Sequence, residues 1–399
     1  MTTQRMHLIQ NQTGGMESMP TVIIGGGQAG LVMGYHLQKA GEQFLILDAQ
    51  PRIGDRWRNR WDSLRLFSTP RYSSLPGWPM PLSTWPTHIE MGDYLEDYAR
   101  HFDLPVRSGV RVNRLSRTES GFRLETSHGV LRAERVVIAT GGYQTPVVPD
   151  FAAALTPRIR QLHSDAYRNP EHLSGTVLIV GAGNSGAEIA LEAVRSGHQT
   201  WLSGRHPGEI PFRIESRRAR VLVPIVMFVF RHILTTDTPM GRKFRRASIH
   251  HGKPLVRTKA SDLEAAGVQR VGRIAGIRDG LPVTVDGDVL EPHTVVWCTG
   301  YRDDYSWIDL PVADDHGQLI TERGVSLAGS RPVRHWSGVP VRSGIGDHSG
   351  LGSGRALSGA GDGQAAQRSS RGDTATRGSL APPPDFASPM LSKWVNLRS

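Results

Sequence analysis

The chain has 399 residues, enough for two or three domains with a sizeable core. Its single cysteine, Cys298, excludes an intrachain disulfide, a CxxC redox pair and a thiolate metal site, which argues for a reducing compartment and against a disulfide reductase. The net charge of +10 invites a nucleic-acid reading, but no helix-turn-helix, RNP or zinc pattern accompanies it, so no nucleic-acid partner is expected.

Residues 1–18 are polar and lack a continuous apolar run, which predicts a disordered N-terminus without a signal peptide. Residues 22–30 (VIIGGGQAG) then place Gly25, Gly27 and Gly30 in GxGxxG spacing after a β-branched run and before an amphipathic stretch. In such a strand–turn–helix the first Gly makes the tight turn, the second lets backbone approach a diphosphate, and the third lets helix pack on strand. The diphosphate sits on free N–H groups at the positive end of the helix, here opened by Gln28 and Ala29. Residues 44–48 (FLILD) predict a second strand ending in Asp48, a carboxylate placed to accept ribose hydroxyls. That end suits an adenosine without a 2′-phosphate, such as that of FAD.

Residues 51–70 are rich in Arg and Trp and have no helical or strand period, and a long irregular segment in a compact domain is usually functional. Trp57 and Trp61 are expected to stack on a ring system, and the arginines to pair with phosphate. Residues 91–102 predict a helix with Met91, Tyr94, Leu95, Tyr98 and Phe102 on its core face. A hairpin at residues 122–131 leads into a buried strand that ends in Thr140-Gly141.

The pattern then repeats. Residues 177–186 (VLIVGAGNSG) carry Gly181, Gly183 and Gly186 in the same spacing, and Asn184 and Ser185 between them are candidate donors to a diphosphate. The following strand, residues 200–205 (TWLSGR), ends in Arg205 instead of an acid, and a guanidinium can grip a 2′-phosphate. The second site therefore suits NADPH. A hairpin at residues 282–290 leads into a strand ending in Thr299-Gly300, so Gly181 to Gly300 mirrors Gly25 to Gly141. Cys298, within an apolar run, reads as a small buried hydrophobe. The predicted fold is α/β, with two Rossmann-like dinucleotide domains of the three-layer ββα type and the NADPH domain inserted in the FAD domain. Expected boundaries are 19–157 for the first part of the FAD domain, 158–300 for the NADP domain, and 301–325 for the return.

Between them, residues 221–230 are too short and too broken by Pro224 to span a bilayer. They predict a buried or channel-lining helix, with a peripheral membrane contact as the alternative. Cations between Arg205 and Arg257, including Arg213, Arg217, Arg218, Arg242 and Arg246, can steer a polyanionic cofactor.

Residues 54–57 (GDRW), the two fingerprints, and the segments 139–142 (ATGG) and 298–301 (CTGY) together resemble the class B flavoprotein monooxygenases, over residues 19–325. These comprise the flavin-containing monooxygenases with plant YUCCA-like and bacterial cation-efflux-associated flavoproteins. The resemblance implies a cytoplasmic FAD- and NADPH-dependent enzyme that forms a C4a-(hydro)peroxyflavin and passes oxygen to a small molecule. It implies Gly54, Trp57 and Trp61 near the flavin, and Thr140, Gly141, Thr299 and Gly300 at the domain connections. Such chemistry is the cofactor's, so no catalytic side chain is expected. A family motif is half present: His163 and Tyr167 match, while Pro157 and Ile159 replace Phe and Gly. His163 therefore reads equally as part of a cofactor-linked movement or as a structural histidine, and N- or S-oxygenation and Baeyer–Villiger chemistry both stay open. A flavin oxidase or reductase without oxygen transfer, and an inactive nucleotide-binding fold, are the alternatives.

Past Gly324 the resemblance ends. Residues 326–399 hold twelve Gly and thirteen Ser with almost no apolar period, and read as an aberrant or disordered tail where the family closes its FAD domain. Codons exist for residues 334–347 that, read one nucleotide later, spell the apolar string VIGLAFQFALASA. Trp336, with its single codon, forces the glycine of that string. The expectation is a shifted reading frame near residues 324–333, which the nucleotide sequence of the gene would test.

Overall fold

The computed structural model describes residues 17–216 and 253–312, with residues 219, 222, 223, 314, 319, 321, 322, 325, 326 and 395–398. Most of the apolar run at 221–230, the cations between Arg217 and Arg246, and nearly all of the tail lie outside the described residues.

Strand β1 (Glu17–Ile24) starts inside the stretch expected to lack structure, and its Glu17 forms an ion pair with Arg107. It is followed by α1 (Gln28–Lys39) and β2 (Leu45–Leu47), which pairs parallel with β1. The irregular segment after Asp48 holds two single turns, α2 (Asp55–Arg58) and α3 (Pro70–Ser73). Next comes α4 (His88–His101), whose Met91, Tyr94, Leu95 and Tyr98 are buried as their spacing predicts. Strands β3 (Val106–Arg107), β4 (Val112–Thr118), β5 (Gly121–Thr126) and β6 (Gly129–Ile138) complete a sheet of order β4-β5-β6-β1-β2-β3.

Side chains alternate across this sheet because successive residues of a strand point to opposite faces. On β1, Ile23 packs with α1 and α4, whereas Val22 and Ile24 pack with Leu115, Phe122 and Leu124 of the β4–β6 meander. The layers are thus helices, parallel strands and meander. The ten-residue β6 serves both, pairing antiparallel with β5 and parallel with β1.

The second unit repeats this plan. Strands β7 (Thr145–Pro146), β8 (Arg160–His163), β9 (Val177–Val180), helix α5 (Asn184–Arg195) and β10 (Thr200–Ser203) precede a helix at Ala260–Ala266 and β11 (Gln269–Val271). With β14 (Thr294–Trp297) they build a parallel sheet of order β11-β10-β9-β14-β8. This unit forms the expected hairpin and adds another before it. The longer ladder is β12 (Ile274–Arg278) with β13 (Leu281–Thr284), turning at Asp279-Gly280, and the 282–290 segment closes a second, shorter hairpin in which Leu290 N donates to Pro282 O (2.9 Å), Thr284 N to Asp288 O (2.9 Å) and Val283 bridges Val289. Asp279 and Gly280 both have positive φ, which this tight turn needs and which an Asp-Gly pair supplies at little cost.

Strands β15 (Tyr301–Arg302) and β16 (Ile308–Asp309) follow, and β16 pairs with β4 of the first sheet. Strands β17 (Thr321–Glu322) and β18 (Val325–Ser326) extend that sheet. The expected disordered tail is corrected at its far end. Residues Val395–Arg398 form β19, antiparallel to residues 135–138 of β6, the half of that strand that β5 leaves unpaired.

Candidate functional site

Both fingerprints fold to the same turn. Gly25 and Gly181 each have φ +111°, and a Cβ on either would collide with a carbonyl oxygen, that of Ala139 in the first unit and Cys298 in the second. Ala139 and Cys298 immediately precede Thr140 and Thr299, so each glycine turn is wedged against its own unit's Thr-Gly corner. Gly30 and Gly186 are equally constrained, since a Cβ there would strike the carbonyl of Gly25 or Gly181.

The middle glycines are different. Gly27 and Gly183 sit at the N-caps of α1 and α5 with φ −79° and −75°, which any residue adopts, and a Cβ at either would meet nothing within 4 Å. Space rather than strain selects glycine here. Neither helix has a side-chain cap or an acid in its first turn. By contrast, Thr87 and Glu90 close a full capping box on α4. The first amides of α1 and α5 therefore face open cradles with the positive end of the helix dipole behind them.

Asp48, just beyond β2, accepts from the amides of Gly26 (2.6 Å) and Gln50 (2.7 Å), so it also braces the glycine turn. Burial holds its carboxyl above the usual range, against the opposing effect of those two hydrogen bonds. Arg205 stands exposed beyond β10, beside an open depression of about 320 Å³. Gln28, at the start of α1, has a buried amide nitrogen with no partner among the described residues; Ala29 and Ser185 are half-buried beside it and beside Gly183.

Several side chains take other work than the sequence suggests. Asn184 does not aim at the diphosphate cradle: its Nδ2 donates to Pro254 O (3.0 Å) and its Oδ1 accepts from Val256 N (2.8 Å). Trp61 is 6 % exposed and packs in the core around β9 and α5, so it offers no open stacking face, although its Nε1 is buried without a partner among the described residues. Trp57 is half-buried and packs against both the α1–α4 core of the first unit and the β9–α5 core of the second. Gly54, at φ +87°, opens α2, and a Cβ there would collide with the backbone of Gly92 in α4.

Arg52, Arg56, Arg58 and Arg60 of this segment pair with carboxylates and Arg65 donates to Trp85 O (3.1 Å), so none is spent on an open phosphate site. Arg58 meets Asp55 (3.0 Å), Asp93 (2.8 Å) and Glu96 (2.6 Å). Arg56 and Arg60 converge on Asp165 at 3.2 and 3.1 Å. Arg60 also donates to the Tyr301 hydroxyl (2.7 Å), which donates to Asp165 (2.9 Å), and its guanidinium lies over the Tyr143 ring at 4.9 Å. The meeting of Arg56 and Arg60 with Asp165 was not visible in the sequence, because more than 100 residues separate them along the chain.

The Thr-Gly corners join the two units. After Gly141 comes β7 and after Gly300 comes β15, and these two short strands pair with each other. Thr299 Oγ1 donates to Val147 O, and Gln144 Nε2 donates to Thr140 Oγ1 (3.1 Å) and Gly141 O (2.8 Å). His163 ties the 163–165 turn to the second Thr-Gly corner. The Asp165 amide donates to its Nδ1 (3.1 Å), leaving the proton on Nε2, which donates to Gly300 O (3.0 Å). Burial lowers its pKa, so it stays neutral around pH 7. Tyr167 is fully buried and donates to Glu192 at 2.9 Å. Cys298 is half-buried against the β9–α5 core, and desolvation pushes its thiol up to about 12, the behaviour of an unreactive cysteine. Among the described residues no group of acids, histidines or cysteine could hold a metal, and no helix is long and apolar enough to cross a membrane.

Comparison with known proteins agrees with this geometry. Residues 22–235 match the pyridine nucleotide-disulphide oxidoreductase family. An uncharacterised CzcO-like oxidoreductase of Geobacillus kaustophilus is 36 % identical over 310 residues, covering 76 % of this chain and 87 % of its own. A probable indole-3-pyruvate monooxygenase, YUCCA7 of Arabidopsis thaliana, is 28 % identical over 377 residues, covering 85 % and 84 %. The solved flavin-containing monooxygenase of Stenotrophomonas maltophilia superposes with a TM-score of 0.61 at 30 % identity, covering 78 % of this chain and 88 % of that one. With one cysteine the chain has no thiol pair of its own to match the disulphide in the family's name. The chain belongs to the pyridine nucleotide-disulphide oxidoreductase family, and within it is an oxidoreductase of the flavoprotein monooxygenase branch, whose members use FAD and NADPH.

Proposed function

We propose that the chain is an NADPH- and FAD-dependent monooxygenase acting on a small organic molecule. The observation that carries this reading is the pair of identically built, uncapped glycine turns that differ in the residue past the next strand: an acid at Asp48, a cation at Arg205. In this reading Gly25, Gly27, Gln28, Ala29, Gly30 and Asp48 hold FAD, with Gly54, Trp57, Thr140 and Gly141 about it. Gly181, Gly183, Ser185, Gly186 and Arg205 hold NADPH, and Thr299-Gly300 joins the two halves. The FAD domain comprises residues 19–157 and 301–325, and the NADPH domain, residues 158–300, is inserted between them.

FAD held at the first turn, with NADPH at the second as reductant, would supply the oxygen-transfer chemistry, one atom of dioxygen going to the substrate and the other to water. The protein's part is to orient the two dinucleotides and shelter the reaction from water. The orphaned Gln28 amide supports a ligand at the first turn, since a buried donor without a partner costs about 1–3 kcal/mol.

The test is an absorbance spectrum of purified protein, then NADPH oxidation with and without amines, sulfides and ketones. A flavin spectrum with substrate-dependent oxygenated product supports the reading. Peroxide equal to the NADPH consumed, whatever the substrate, would identify an oxidase instead. Arg205→Ala should weaken NADPH roughly ten- to hundredfold and spare NADH, as expected for losing one charged hydrogen bond of about 1.5–3 kcal/mol. An equal effect on both nucleotides would remove Arg205 from this role.

A further inference from the structure

Resting on the reading of residues 158–300 as the NADPH domain, we infer that Arg273 is a second cation for the 2′-phosphate, gripping it from the side opposite Arg205. Strands β10 and β11 are parallel neighbours whose last residues, Ser203 and Val271, are in register. Each is followed by Gly and then Arg: Gly204-Arg205 after β10, Gly272-Arg273 after β11. Two arginines therefore leave adjacent strand ends at equivalent positions, at the carboxyl edge where open α/β sheets take their ligands. Together with Gly204, Val271, Gly272 and Val285 they line the depression of about 320 Å³.

The backbone carrying Arg273 is fixed to the strand carrying Arg205. The Ser203 hydroxyl, fully buried, donates to Gly272 O (2.9 Å) and accepts from Ile274 N (3.1 Å), so it spans the residue between them. Arg270 donates to Gly204 O at 2.5 Å and braces the other turn. Gly204 has φ +137°, and a Cβ there would press on the Ala182 amide in the fingerprint. The depression is thus built against the glycine turn itself.

Charge supports the assignment. Arg56, Arg58 and Arg60 are each paired with carboxylates, whereas no carboxylate lies within 4 Å of the Arg205 or Arg273 guanidinium among the described residues. Two unneutralised guanidiniums at one concavity suit a dianionic phosphate. One acid stands close: Asp286, whose Oδ2 lies where a side chain on Gly272 would go. It opposes part of the attraction, and its neutralisation should tighten the site.

The experiment is calorimetric titration of the full chain with 2′,5′-ADP and with 5′-AMP, which needs no flavin and no turnover. Arg273→Ala should weaken 2′,5′-ADP by about tenfold, leave 5′-AMP unchanged, and leave the melting temperature where it was, as the side chain is exposed. Arg273→Lys should fall between, and Asp286→Asn should bind 2′,5′-ADP more tightly than the parent. Arg273→Ala with parental 2′,5′-ADP affinity, beside a weakened Arg205→Ala, would overturn the second cation and leave the NADPH reading standing. Equal losses for both nucleotides would also overturn it, by making Arg273 a support of the fold. A parent chain that binds 2′,5′-ADP no better than 5′-AMP would remove the NADPH reading, and this inference with it.

Discussion

At the scale of single residues, the three glycines of each fingerprint are glycine for different reasons. Gly25 and Gly181 are needed by the backbone, at φ +111°, and Gly30 and Gly186 by close packing, whereas Gly27 and Gly183 are needed by neither. A side chain at Gly27 fills the cradle without disturbing the turn. Gly27→Leu should therefore fold, at a cost of about 1 kcal/mol for the poorer N-cap, yet purify without flavin. Gly183→Leu should keep its flavin and resist reduction by NADPH. Absorbance at purification and a melting curve check both, and loss of flavin from Gly183→Leu would point to misfolding.

Glu188 offers a test through pH. Burial on α5 pushes its carboxyl up to about 7, despite Arg257 at 3.4 Å, and Glu215 and Glu192 add to the rise. A carboxyl whose folded pKa lies above its unfolded value favours the folded state while protonated, and that contribution is lost as pH rises from the unfolded value towards 7. Stability should therefore fall between about pH 4.5 and 7 by up to ~3 kcal/mol, since each tenfold difference in proton affinity corresponds to about 1.4 kcal/mol. Glu188→Gln should flatten that decline, as read by melting temperature against pH. An unchanged slope would assign the decline to another group.

At the scale of elements, the three longest helices among the described residues divide by their N-termini. Helix α4 is fully capped, with the Thr87 hydroxyl accepting from Glu90 N (3.1 Å) and Glu90 Oε2 accepting from Thr87 N (2.8 Å). Helices α1 and α5 lack such caps, and these are the helices whose first turns face open space. Thr87→Ala should lower stability by about 1 kcal/mol, a few degrees in melting temperature, with flavin retention unaffected. A larger loss accompanied by loss of flavin would mean that α4 positions the α2 segment through Arg58 rather than only packing beneath it. Its core face follows from periodicity, whereas the periodic stretch starts at Met91 and the structure begins the helix at His88, three residues earlier, behind the Thr87–Glu90 capping box.

At the scale of the whole molecule, the crossing between the two units is held by a paired ribbon and a charged cluster. Asp165 gathers Arg56, Arg60 and the Tyr301 hydroxyl, and the two guanidiniums and the Tyr301 hydrogen bond hold its carboxyl below the usual range in spite of burial. Asp165→Ala would leave Arg60, 8 % exposed, without its carboxylate. The half-buried setting points to a loss of about 1–3 kcal/mol, the usual cost of stranding a polar partner. Thermal unfolding measures it, and a loss near zero would show that the cluster adds nothing to stability.

The sequence by itself determined what depends on neighbours along the chain: the two strand–turn–helix units, their glycine spacing, the acid and the arginine that end their second strands, the core face of α4 and the repeated Thr-Gly corners. These follow from backbone sterics and from side-chain periodicity, both of which are local. Tertiary structure decided what depends on distant residues meeting. It turned the arginines of residues 52–60 to Asp93, Glu96 and Asp165, tied Asn184 to the 254–256 backbone, sank Trp61 into the other unit's core and paired β7 with β15. It also brought Arg273 beside Arg205, far apart along the chain, because β10 and β11 are neighbours only in the folded sheet. A charge or a hydrogen-bonding group carries no mark of its partner, so its role is set only when the fold has chosen what stands within a few ångströms of it.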